Sequence, residues 1–133
     1  MGLVETSVLV MDCSEPERLP RFYTALLDGE VYAGAGTDRV EIVGNGGTHM
    51  AFRRDLNATP PSWPRPDDSL QTHLDLIVAE GAMDEVERRI ISLGGRALST
   101  ADTVGPQGVR LYSDPAGHPF SLRTSRVSGP KTG

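Results

Sequence analysis

The sequence predicts an α+β fold made of two βαβββ modules, and three observations lead there. A strand-like segment is followed by one amphipathic helix and three short strand-like segments. The same order returns after a proline-rich stretch. The two halves then align with an offset of roughly 65 residues. Leu9 falls on Leu74, Met11 on Leu76, Phe22 on Val86 and Leu26 on Ile90, and Gly47 to Arg53 matches Gly117 to Arg123 at the last strand of each half. The expected organisation is one domain of 133 residues, with modules at 4–54 and 70–124, a linker at 55–69 and a flexible tail at 125–133.

Ser7 to Cys13 is short, apolar and rich in β-branched residues, so it reads as a largely buried strand. Ser14 with Glu17 three residues later has the form of a capping box, and Leu19, Phe22, Tyr23, Leu26 and Leu27 recur on one helical face. Pro20 predicts an irregular first turn or a later helix start, because an interior proline removes a hydrogen bond. Glu30 to Tyr32, Arg39 to Val43 and His49 to Arg53 read as a meander, separated by glycine-rich turns at Gly34 to Gly36 and Gly44 to Gly47. Pro60, Pro61, Pro64 and Pro66 around Trp63 exclude regular structure and predict a stiff linker. In the second half, Gln71 to Val78 alternates as a strand. Met83, Val86, Ile90 and Leu93 mark a helix closed by Gly94 and Gly95, and strands follow near Arg96 to Ser99, Gly108 to Tyr112 and Pro119 to Arg123.

Composition narrows the function classes. A net charge of −5 without any extended Lys or Arg cluster argues against nucleic acid as a partner. No run approaches the roughly 18 consecutive apolar residues that cross a bilayer, and the first residues lack a basic segment followed by an apolar one. A cytoplasmic protein that does not engage membranes is expected. The lone Cys13 can form no internal disulfide and reads as a small apolar filler.

Several strings together carry a family resemblance: Asp12 to Pro16 leading into Arg21-Phe22-Tyr23, Trp63-Pro64, His73 to Leu76, and Tyr112 to Phe120 with its Asp114-Pro115-Ala116-Gly117-His118 turn. In that order and spacing, up to about Arg123, the chain resembles the glyoxalase/bleomycin-resistance (vicinal oxygen chelate) superfamily. The resemblance implies mixed sheets curled around a cavity, frequently in a homodimer. It also implies a divalent metal held by His or Glu on the first and last strands of each module, positions that fall here on Val8, Ala51, His73 and Ser121. Only His73 keeps a ligand; Val8 and Ala51 have no donor, and a neutral Ser121 is a poor substitute for a carboxylate. No metal or other cofactor is therefore expected.

Alternation aims His73 and Asp75 away from the helix, into the expected cavity, where they satisfy each other, satisfy backbone, or contact a ligand. Trp63 either plugs the seam between modules or walls a pocket. His49 and Ser121 lie on the expected cavity side, and Arg53 and Arg123 fall on matching positions at its mouth. His118 reads as a turn residue. No nucleophile elbow or phosphate loop is present, so no catalytic residue is assigned. The expected function is metal-independent binding of a small, aromatic natural product, as in antibiotic sequestration. The contact residues would be His73, Asp75, Trp63, Phe52, His49, Arg53, Ser121 and Tyr112. The alternative is a lyase, isomerase or dioxygenase with a relocated metal site or metal-free acid/base chemistry.

Overall fold

The computed structural model describes residues 2–58, 72–98 and 109–124. Trp63, most of the expected linker and the 125–133 tail lie outside them. The chain divides into two compact units, Met1–Thr59 and Pro60–Gly133.

The first unit runs β1 (Leu9–Cys13), α1 (Arg18–Leu27), β2 (Glu30–Ala33), β3 (Arg39–Val43) and β4 (His49–Arg54). Its sheet has the order β1-β4-β3-β2, with β1 parallel to β4 and the other pairs antiparallel. The second unit runs β5 (Leu74–Val78), α2 (Met83–Ser92), β6 (Arg96–Ala97), β7 (Arg110–Ser113) and β8 (Pro119–Thr124). Its sheet repeats the pattern as β5-β8-β7-β6, again with one parallel pair. Each unit is thus the βαβββ module that the sequence predicts.

Helix α1 does not begin with the expected capping box. The chain turns over Pro16 and Glu17 first, so the helix starts at Arg18 with Glu17 as an N-cap that makes no side-chain cap bond. Ser14 is then too far upstream to cap. Pro20 becomes the third helical residue, where a missing N–H breaks no intrahelical bond. Asp28 closes the helix in the left-handed region (φ 52°), its N–H bonding Thr24 O.

Period-2 alternation divides each sheet between a helix side and a far side. In the first unit Leu19, Phe22 and Tyr23 of α1 are buried with Val40, Ile42, Met50 and Phe52, and the Tyr23 and Phe52 rings stack at 5.5 Å. In the second, Ile90 of α2 is buried with Tyr112, Phe120 and Leu122, and Tyr112 stacks on Phe120 at 5.6 Å. Burying such side chains stabilises each module by about 1.5–3 kcal/mol apiece.

A glycine follows each helix for one shared reason. A Cβ on Gly29 would collide with the Val43 carbonyl, and one on Gly95 would meet Ile90 Cγ2 at 2.6 Å and Ser113 O at 3.0 Å. Glu30 pairs with Val43 and Arg96 with Ser113, so both glycines lie where the helix exit grazes the end of the neighbouring strand.

Candidate functional site

The far faces carry the polar chemistry, and strand register decides which side chains meet. In the first sheet the rungs Val10·Ala51 and Asp12·Arg53 continue across to Glu41 and Arg39, while Val43 pairs with His49. Arg53 grips Asp12 through two bonds, Nε to Oδ1 at 2.8 Å and Nη2 to Oδ2 at 2.9 Å. The Asp12 hydrogen bond and charge raise the Arg53 guanidinium above its ordinary value. Glu41 bridges two donors, with His49 Nε2 at 3.0 Å from Oε1 and Arg39 Nε at 3.2 Å from Oε2. Those hydrogen bonds, His49's first, hold the Glu41 carboxyl below its ordinary value of 4.5. Tyr32, at a bulge between Val31 and Ala33, sets its ring edge-on to His49 with centroids 5.1 Å apart.

In the second sheet the middle rung is polar. Asp75 lies opposite Ser121, whose hydroxyl donates to Oδ1 at 2.8 Å, and Arg123 reaches back from two residue pairs along, on the same face, to donate Nε to Oδ2 at 2.6 Å. Ser121 is buried, while Asp75 and Arg123 are part-exposed. Arg123 Nη1 is buried without a hydrogen-bond partner among the described residues. An unpaired buried donor of this kind costs about 1–3 kcal/mol, more when charged.

Of the residues predicted from sequence, His49, Arg53, Asp75 and Ser121 share far faces with these clusters. His73 is exposed immediately before β5. The Asp75 carboxylate bonds Ser121 and Arg123, so of the arrangements that the sequence leaves open for it, pairing with His73 gives way to partners that the parallel β5–β8 register supplies. Phe52 and Tyr112 are corrections to the expected contact set. Phe52 follows Ala51 and so turns to the helix side, fully buried against Tyr23. Tyr112 shares a rung with Phe120 and donates its hydroxyl to Glu87 Oε1 of α2 at 2.6 Å. Burial and then the Glu87 carboxylate push the Tyr112 phenol above its ordinary value of 10.0. Tyr112 therefore ties α2 to its sheet. Trp63 lies outside the described residues.

His118 is held in its turn as expected. Asp114, almost wholly buried, accepts the Ala116 and His118 amides at 2.8 and 3.0 Å and sits 3.0 Å from His118 Nδ1. Sequence reading missed Glu41, Arg39 and Tyr32. A signal existed, because Val43 and His49 flank the glycine turn and alternation then puts Glu41 on the face of His49. A concavity of about 280 Å³ at Asp28 to Glu30 and Val43 to Asn45 includes none of the predicted site residues.

The four positions that the family resemblance assigns to a metal do not fit one. Val8 and Ala51 offer no donor, Ser121 gives its hydroxyl hydrogen to Asp75, and His73 remains a single imidazole. Among the described residues no three His, Cys, Asp or Glu side chains converge to hold an ion. None of the described helices is long and apolar enough to cross a membrane.

A family model described as a glyoxalase-like domain matches residues 8–123. No curated protein matches in sequence. Among solved structures, a glyoxylase/bleomycin resistance protein/dioxygenase domain from a Frankia species is 20% identical, covers 96% of each chain and has a TM-score of 0.68. A lactoylglutathione lyase from Agrobacterium tumefaciens is 14% identical over 95% of this chain and 97% of its own, at a TM-score of 0.64. A mutant fosfomycin resistance protein from Listeria monocytogenes, complexed with Mn(II) and a dihydroxypropylphosphonic acid, is 14% identical over 92% and 93%, at a TM-score of 0.65. At these identities the likeness is one of fold.

Proposed function

Since the chain belongs to the glyoxalase-like domain family, we propose that it binds a small, aromatic natural product without a metal and lowers its free concentration, as an antibiotic-sequestering protein does. The observation that carries this reading is the second sheet's middle rung. Where the family places a metal ligand, Ser121 is engaged by Asp75, and Arg123 beside them has a buried N–H with no partner among the described residues. A guanidinium already anchored at Nε suits the orientation of a ligand acceptor such as a quinone or carbonyl oxygen. Apolar contact then supplies most of the attraction and polar groups set the pose. His49 and Arg53 of the first unit and, separately, Asp75, Ser121 and His73 of the second are the proposed contacts.

Two features of the reading are tested together. Protein taken directly from its native cells and analysed by mass spectrometry should carry an intact small molecule, and rebinding should persist with a metal chelator present. Recovery of a chemically altered compound would favour a lyase, isomerase or dioxygenase instead. In this reading the protein acts in the cytoplasm, and as a homodimer, since among the described residues each sheet ends in strands paired on one side only. Light scattering that returns the single-chain mass of 14.3 kDa would contradict the dimer.

A further inference from the structure

Resting on that binding reading, we infer that His49 Nδ1, set between Tyr32 and Glu41 on the far face of the first sheet, is the proton acceptor for an acidic hydroxyl on the ligand, which makes the ligand a phenol or an enol. The argument begins at Glu41. Its two oxygens face two donors, Arg39 Nε and His49 Nε2. Held ionised by them, it has only lone pairs to offer, so the ring nitrogen facing it must carry the hydrogen. That fixes the tautomer. In its neutral form the imidazole then presents a lone pair at Nδ1, which makes no hydrogen bond with the described residues, on a side chain 18% exposed.

An atom that can only accept selects ligands that donate. Tyr32 adds the second requirement: bulged out of β2 and 66% exposed, it sets a π surface beside the imidazole. A flat ring bearing a hydroxyl meets both groups at once. The charges on this face also permit the proton to move. Asp12 and Glu41 are balanced by Arg53 and Arg39, so a phenolate paired with an imidazolium adds no net charge. In the transfer the ligand O–H bond breaks and the Nδ1–H bond forms. The electron pair stays on the ligand oxygen, and the imidazolium is stabilised through Nε2 by Glu41. The step reverses on release, so the ligand leaves unchanged.

The test uses the full chain and 3-nitrophenol, whose phenolate absorbs visible light far more strongly than its phenol. At a pH one unit below the probe's own pKa, about a tenth of the free probe is ionised and an ordinary imidazole is mostly neutral. Binding to the protein should convert most of the bound probe to the coloured form. Replacing His49→Gln, which can still bond Glu41, should abolish that conversion and weaken binding about tenfold. Glu41→Gln should lower the ionised fraction of bound probe while leaving most of the affinity. A readout independent of any variant is nitrogen NMR of histidine-labelled protein, in which His49, His73 and His118 are the only signals to assign. Nδ1 of His49 should shift to its protonated position on adding the probe, with Nε2 protonated throughout. Bound probe that stays a phenol, or a visible band that survives His49→Gln, would overturn the inference yet leave the wider binding reading standing. Failure of the probe to bind at millimolar concentration would also overturn it, and the native-cell mass spectrum would then decide the wider reading separately.

Discussion

The two modules share a helix side and differ on the far side. In both, an aromatic stack braces the sheet where the helix lies, Tyr23 on Phe52 in the first and Tyr112 on Phe120 in the second, with nearly equal ring separations of 5.5 and 5.6 Å. On the far side the middle rungs are inverted. Val10·Ala51 is apolar in the first sheet, and Asp75·Ser121 is polar in the second. Each sheet still pairs the matching arginine with an aspartate, but Asp12 lies directly opposite Arg53 whereas Asp75 sits two residue pairs back from Arg123, at the next position on the same face. The buried side fixes the fold and tolerates little change of chemistry. The far side is free to diverge, and that is where a ligand would be read.

The comparison breaks most visibly if the two stacks are unequal. Phe52→Ala and Phe120→Ala should each cost about 3–5 kcal/mol in urea unfolding, since each removes a fully buried ring. A much smaller loss for one would mean that its module does not depend on the stack. Next come the helix-exit glycines. Gly29→Ala should cost about 3 kcal/mol because its Cβ meets a backbone carbonyl, and Gly95→Ala, whose Cβ meets a branch methyl of the fully buried Ile90, should cost about 1–3 kcal/mol.

How much of this the sequence carried differs by side. Element order and the helix-side residues are legible, because burial enforces period 2 in strands and period 3.6 in helices. For Phe52 the signal is present in the sequence: with Ala51 on the far side, its neighbour turns to the helix. Tyr112 was beyond reach, since only the β7–β8 register and the approach of Glu87 reveal its side. The far-face clusters were illegible for a related reason. Asp75 has partners 46 and 48 residues away, and such distances leave no local pattern.

Smaller effects sharpen the contrast. Helix α2 buries only Ile90, against four residues of α1, and relies on the Tyr112 hydroxyl and on Arg110, which bonds Glu87 and Asp84. Tyr112→Phe should therefore cost about 1.5 kcal/mol by thermal or urea unfolding. The smallest effect is the acid response of the first sheet. Glu41's carboxyl is lower in the fold than in the unfolded chain, so its contribution is present above the ordinary value of 4.5 and is lost as pH falls through the depressed value. Stability of Glu41→Gln should accordingly be less sensitive to pH below 4.5 than that of the parent, measured by urea titration at several pH values.

The central claim is that the far faces hold a ligand without a metal, and elemental analysis of the protein purified without added metal or chelator tests it most directly. The account predicts no stoichiometric divalent ion. About one zinc, iron, nickel or manganese per chain, lost when His73 is replaced by Ala, would contradict it.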